Sequence, residues 1–152
     1  MNEFTLKGEN GSIRLRLDNV IGVADRPGRQ SGYAVFGSIE IHVQSYHVAS
    51  TLRFSTDRVC EFFDALMKAH DVLDGSARFV SSEHELDLTI EYQKRGQVCI
   101  RGSYQTYPGL ATRLTFEIIS DQSFIASALS ELEEIVRLYP KKVKENVSAF
   151  IA

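Results

Sequence analysis

Apolar residues alternate with polar ones through most of this chain, and the alternation is interrupted twice by a three-and-four spacing. Phe4 and Leu6 alternate with polar neighbours before the turn residues Gly8-Glu9-Asn10-Gly11. Ile13, Leu15 and Leu17 follow with Arg14 and Arg16 between them, which predicts a strand with one buried face. Asp18-Asn19 predicts a bend, after which Val20 to Val23 extend the strand. Residues 24–32 carry the clearest loop signal, with Pro27 and glycines at 28 and 32. Val35, Ile39, Ile41 and Val43 then share one phase, Val48, Leu52 and Phe54 another, and Gln44-Ser45-Tyr46 is expected to turn between them.

The period then changes. Val59, Phe62, Phe63, Leu66 and His70 are spaced for one face of a helix from about 57 to 73, with Ser55 or Thr56 as N-cap. Asp74-Gly75 marks its end. The same grammar returns. Ala77 and Phe79 suggest a short strand extending toward Ser81, and Leu86, Leu88, Ile90 and Tyr92 make the cleanest alternation in the chain. Lys94-Arg95-Gly96 predicts a hairpin loop, and Val98, Ile100 and Gly102 lead back. Tyr107-Pro108-Gly109 predicts another turn, and Leu114, Phe116 and Ile118 a further strand.

A second amphipathic helix is expected from about 121 to 138, carrying Ile125, Ala128, Leu129 and Leu132. Pro140 must interrupt it, because proline lacks the amide and clashes one turn back. Val143, Val147, Phe150 and Ile151 are spaced for a short third helix. Strands joined by short turns imply antiparallel pairing, so the fold class is α+β. The expectation is about eight mostly antiparallel strands in two strand-rich halves, each followed by an amphipathic helix. Residues 1–152 read as a single domain, with an internal pseudo-repeat over about 1–73 and 76–139.

Composition narrows the classes without choosing among them. A chain of 152 residues, 43% hydrophobic and 24% charged, has the profile of an ordinary globular domain. Such a chain buries roughly two-thirds of its unfolded surface, enough for a core without disulfide or metal staples. A net charge of −3 with interleaved signs lacks the basic stripe of a nucleic-acid binder. No apolar run approaches the roughly 20 residues of a membrane span, and the start Met1-Asn2-Glu3-Phe4 shows no signal-peptide pattern. Cys60 and Cys99 form neither a disulfide framework nor a paired metal motif, and read as buried, reduced thiols of a cytoplasmic protein.

Candidate chemistry is sparse. His42 and His47 would approach each other across a hairpin at Gln44–Tyr46, which makes them the pair to weigh for metal or acid–base work. Yet His42 shares its phase with Glu40 and Gln44, the pattern of a wet strand face, and a metal site wants three or four ligands. No metal or cofactor is assigned from the sequence. Glu83, Glu85, Asp87 and Glu91 alternate with apolar residues and suggest an acidic strand face suited to a basic partner. Tyr104 and Tyr107 flank a turn and are candidate interface aromatics. The glycines fit neither a dinucleotide fingerprint nor a phosphate loop. The reading is a non-enzymatic binding protein whose partner surface includes Glu40, His42, His47, Glu85, Asp87, Glu91, Tyr104 and Tyr107, together with loop 24–32. Two rivals remain: a hydrolytic or small-molecule-binding enzyme with a pocket where His42, His47 and Glu40 converge, and a homo-oligomer subunit joined through strand edges.

The order of motifs carries a resemblance. Phe4-Thr5-Leu6-Lys7-Gly8 and Gly11-Ser12-Ile13-Arg14-Leu15 open it, followed by Phe62-Phe63-Asp64-Ala65-Leu66 and Leu86-Asp87-Leu88-Thr89-Ile90. Leu114-Thr115-Phe116-Glu117-Ile118 and Asp121-Gln122-Ser123-Phe124-Ile125 close it, the Asp121-Gln122 pair being the most distinctive. This order resembles the small bacterial proteins related to WapI, cytoplasmic immunity partners of secreted contact-dependent toxins. The resemblance covers nearly the whole chain and implies a protein that binds and occludes a toxin domain, with no catalytic residues to carry over.

Overall fold

The computed structural model describes residues 2–22, 32–107 and 109–141. The expected loop at 24–32, apart from Gly32, and the expected C-terminal helix lie outside them. Four strands come first: β1 (Glu3–Lys7), β2 (Gly11–Ile21), β3 (Ala34–Val43) and β4 (Tyr46–Ser55), followed by α1 (Thr56–Val72). Four more follow: β5 (Ser76–Val80), β6 (Leu86–Tyr92), β7 (Gln97–Tyr104) and β8 (Leu114–Asp121), and then α2 (Gln122–Leu138). Each set of four pairs in sequence order into its own antiparallel sheet. The eight-strand antiparallel α+β class expected from the alternation is the architecture observed.

Local chemistry explains the boundaries. The Ser55 hydroxyl accepts from the Arg58 N–H at 3.2 Å, and the Asp121 carboxylate accepts from the N–H groups of Ser123 and Phe124. Both caps therefore satisfy amides that the first helical turn leaves unpaired. Leu73 takes the left-handed conformation at the end of α1, and its N–H and that of Asp74 return to the last-turn carbonyls of His70 and Ala69. The bend at Asp18-Asn19 is a register shift between Leu17 and Asn19, a bulge that lets β2 twist and continue to Ile21.

Alternation becomes burial. Phe4, Leu6, Ile13, Leu15, Ile39, Ile41, Leu52 and Phe54 of the first sheet are buried, as are Leu86, Leu88, Ile90, Ile100 and Ile118 of the second. Together with the inner sides of both helices they form one contiguous core. Phe62 of α1 joins the halves: its ring lies 6.1 Å from Phe4 of β1 and 5.7 Å from Phe79 of β5, and Phe79 lies 5.6 Å from Phe54 of β4.

The helices cross over. The chief strand neighbour of α1 is β5, the first strand of the second sheet, whereas that of α2 is β1, the first strand of the other. Side chains seal these outer strands: the Thr5 N–H donates to Glu131 of α2 at 2.8 Å, and Arg58 of α1 donates to the Val80 carbonyl at 3.3 Å. At the opposite edges, the Glu9 N–H donates to the Ile119 carbonyl of β8 and the Ser82 N–H to the Arg53 carbonyl of β4. Gly8 is required at the first of these crossings, since a Cβ there would stand 2.3 Å from the Ile119 oxygen.

Candidate functional site

The inward faces are consumed by the core, so the outward faces of the strands carry what remains for recognition. On the first sheet, β3 and β4 are joined by only Gln44 and Ser45, with Gln44 at a positive φ of 56°. This tight turn fixes the register and places His42 directly across from His47. Their rings stack at 4.0 Å with 16° between the planes. Glu40, two residues before His42 on the same face, turns its carboxylate toward both. Its Oε2 lies 3.9 Å from Nε2 of His42 and 3.5 Å from Nε2 of His47.

The other oxygen, Oε1, accepts from the Arg14 guanidinium of β2. Arg14 and Ala49 are the cross-strand neighbours of Glu40 on its two sides, and the short alanine leaves the carboxylate room to reach the imidazoles. Beside Glu40 is a hollow of about 140 Å³ lined by Arg14, Arg16, Ser38, Ala49 and Ser50, below the size range of drug-sized ligand pockets. Glu40, His42 and His47 can bring one ligand atom each within 4.8 Å of one another. This is a compact donor set of two imidazoles and one carboxylate, half-exposed to solvent.

The second sheet differs from expectation in its charge. Asp87 accepts two hydrogen bonds from Arg78, at 3.0 and 2.7 Å, and these hold its carboxyl below the usual carboxylate range. Arg101 donates to Glu91 at 2.9 Å and to Glu117 at 3.1 Å. Hydrogen bonds from Cys99 and then Arg101 likewise depress Glu117. The acidic face expected from Asp87 and Glu91 is thus interleaved with arginines supplied by β5 and β7, and its field alternates in sign. Glu85 belongs to the connection before β6, where its carboxylate accepts from the Ser81 hydroxyl at 3.2 Å.

The two tyrosines separate. Tyr107 is exposed in the connection between β7 and β8. Tyr104 is buried, 4% exposed, with its hydroxyl 3.5 Å from the Thr51 carbonyl. It therefore contributes to the core and not to an outer surface. The phase of Val98, Ile100 and Gly102 already pointed inward at this position. Arg14, Arg78 and Arg101 carry no such signal in the sequence: each looks like an ordinary solvated position until strand pairing sets it beside a carboxylate.

Both cysteines are free and buried. Burial pushes the Cys60 and Cys99 thiols up to about 11, so both are protonated near neutrality and poor nucleophiles. His70, on the inner side of α1, has Nδ1 2.6 Å from the Tyr92 hydroxyl, a structural contact between helix and second sheet. Among the described residues, no helix is long and apolar enough to cross a membrane.

The fold and its surfaces define an antiparallel α+β scaffold whose two sheets display patterned polar side chains. The chain belongs to the WapI-like immunity protein family, whose model matches residues 4–140. No curated protein matches it closely enough to add a relative.

Proposed function

We propose that this chain is an immunity protein that binds a cognate bacterial toxin domain in the cytoplasm and neutralises it without catalysis. Family membership over residues 4–140 is the observation that carries this reading. The surface chemistry supports it. Arg14, Glu40, His42 and His47 on the first sheet, and Arg78, Asp87, Glu91 and Arg101 on the second, form pre-arranged, alternating charge patterns. Such patterns discriminate among partners by charge register more than by bulk attraction. Tyr107 adds an exposed aromatic suited to an interface. Glu85 stands at the border of the second pattern, and Tyr104 acts only by supporting the strand beneath it.

Co-expression with the toxin domain encoded beside its gene tests the proposal. The expected outcome is rescue of growth and recovery of a stable complex by gel filtration. Absence of a toxin gene in the neighbourhood, together with failure to rescue any co-expressed candidate, would overturn it. Reversal of the pair on the first sheet, Arg14→Glu with Glu40→Arg, is expected to weaken the complex while leaving the fold intact, if that sheet meets the toxin.

A further inference from the structure

We propose that Glu40, His42 and His47 form a binding site for a late first-row divalent metal ion of the Zn²⁺ class. The inference goes beyond toxin neutralisation and stands independently of it. Neutral imidazole is a favoured ligand of Zn²⁺, Ni²⁺ and Cu²⁺, and a carboxylate oxygen completes a common three-ligand set. Ligand bonds of about 2.0–2.2 Å at tetrahedral angles put neighbouring donor atoms roughly 3.3 Å apart. The Glu40 oxygen already lies 3.5 Å from one imidazole nitrogen and 3.9 Å from the other. Because an imidazole lone pair lies in the plane of its ring, the two rings must turn out of their parallel stack to converge on one ion. Both are half-exposed on the outward face, where nothing packs over them to prevent it.

Three features make this more than a chance meeting of polar side chains. The two-residue turn fixes His42 and His47 as direct cross-strand partners, so both rings are placed by backbone register. Glu40 divides its oxygens: Arg14 holds Oε1, and Oε2 is turned toward the histidines. A carboxylate oriented in this way by an outer hydrogen bond is how metal sites fix their ligands. The outward exposure of both rings also leaves the remaining coordination positions to water. The Arg14 charge opposes the incoming cation, so the site is expected to bind reversibly and not to act as a permanent structural staple.

Calorimetric titration of the full chain with Zn²⁺, alongside the absorption spectrum of bound Co²⁺, tests the proposal. Saturable one-to-one binding is expected, with Co²⁺ bands showing nitrogen and oxygen ligation. His42→Ala and His47→Ala should each weaken binding by about tenfold or more, and Glu40→Gln should weaken it as well. His84→Asn, a histidine outside the cluster in an exposed turn, should bind as the parent does. Affinity should fall as pH falls, because protons compete for the same imidazole lone pairs. Circular dichroism establishes that each variant is folded; as the substituted groups are on the surface, all four should be. Absence of saturable binding, or parental affinity in both histidine variants, overturns the site.

Discussion

Counted from their N-caps Ser55 and Asp121, the two helices bury the residues four, seven, eleven and fourteen positions on: Val59, Phe62, Leu66 and Ala69 in α1, Ile125, Ala128, Leu132 and Ile135 in α2. The positions match, but the volumes are exchanged. A phenylalanine faces the core early in α1 where α2 has alanine, and α1 ends on alanine where α2 has isoleucine. The sheets beneath show a similar contrast on their outer faces. On the second sheet the strand carboxylates Asp87, Glu91 and Glu117 each have an arginine. On the first, Glu40 is shared between one arginine and two histidines. A common backbone plan therefore sets where side chains go, while packing volume and surface chemistry are free to differ between halves.

The helix comparison breaks most visibly at Phe62. Phe62→Ala removes the ring between Phe4 and Phe79 and is expected to cost about 3–5 kcal/mol, measured by urea denaturation. The reciprocal change, Ala128→Phe, forces a ring into a fully buried alanine position and should cost about 1–3 kcal/mol. A larger loss from Ala128→Phe than from Phe62→Ala would show that α2, and not α1, is the tighter contact. Below these, Ser55→Ala deletes the acceptor for the Arg58 amide and should lower stability by about 1 kcal/mol by the same measurement.

The smallest effect concerns the sheets. Asp87 is depressed in the folded state by Arg78, so its contribution is present above the ordinary carboxylate pKa of about 4 and is lost as pH falls through the lower folded value. Melting temperatures from pH 7 to 2 should therefore drop less steeply below about pH 4 in Asp87→Asn than in the parent. Equal acid slopes would show that the Arg78 pair, exposed as it is, contributes nothing measurable.

Much of the fold was legible in the sequence because burial on one face writes itself as period two or period 3.6. Both helices, a hydroxyl cap at Ser55 or Thr56, the turn at Gln44-Ser45-Tyr46 and the bend at Asp18-Asn19 follow from local rules. What was not legible depends on partners distant in the chain. Nothing local in α1 says that it will lie along β5 instead of the strand it follows. Nothing in Asp87 or Glu91 announces Arg78 or Arg101. The histidine pair and Glu40 beside it were legible from the hairpin and the strand phase, but the Arg14 guanidinium that holds the other Glu40 oxygen was not, because it comes from β2.

The exchange of helices between sheets makes each half the lid of the other. A chain cut at Asp74-Gly75 would yield two fragments, each holding a complete sheet and a helix whose main strand partner is in the opposite piece. Neither fragment alone should give a cooperative melt. Mixed in equal amounts they should reassemble, so the fold carries the makings of a split reporter whose signal depends on its two pieces meeting.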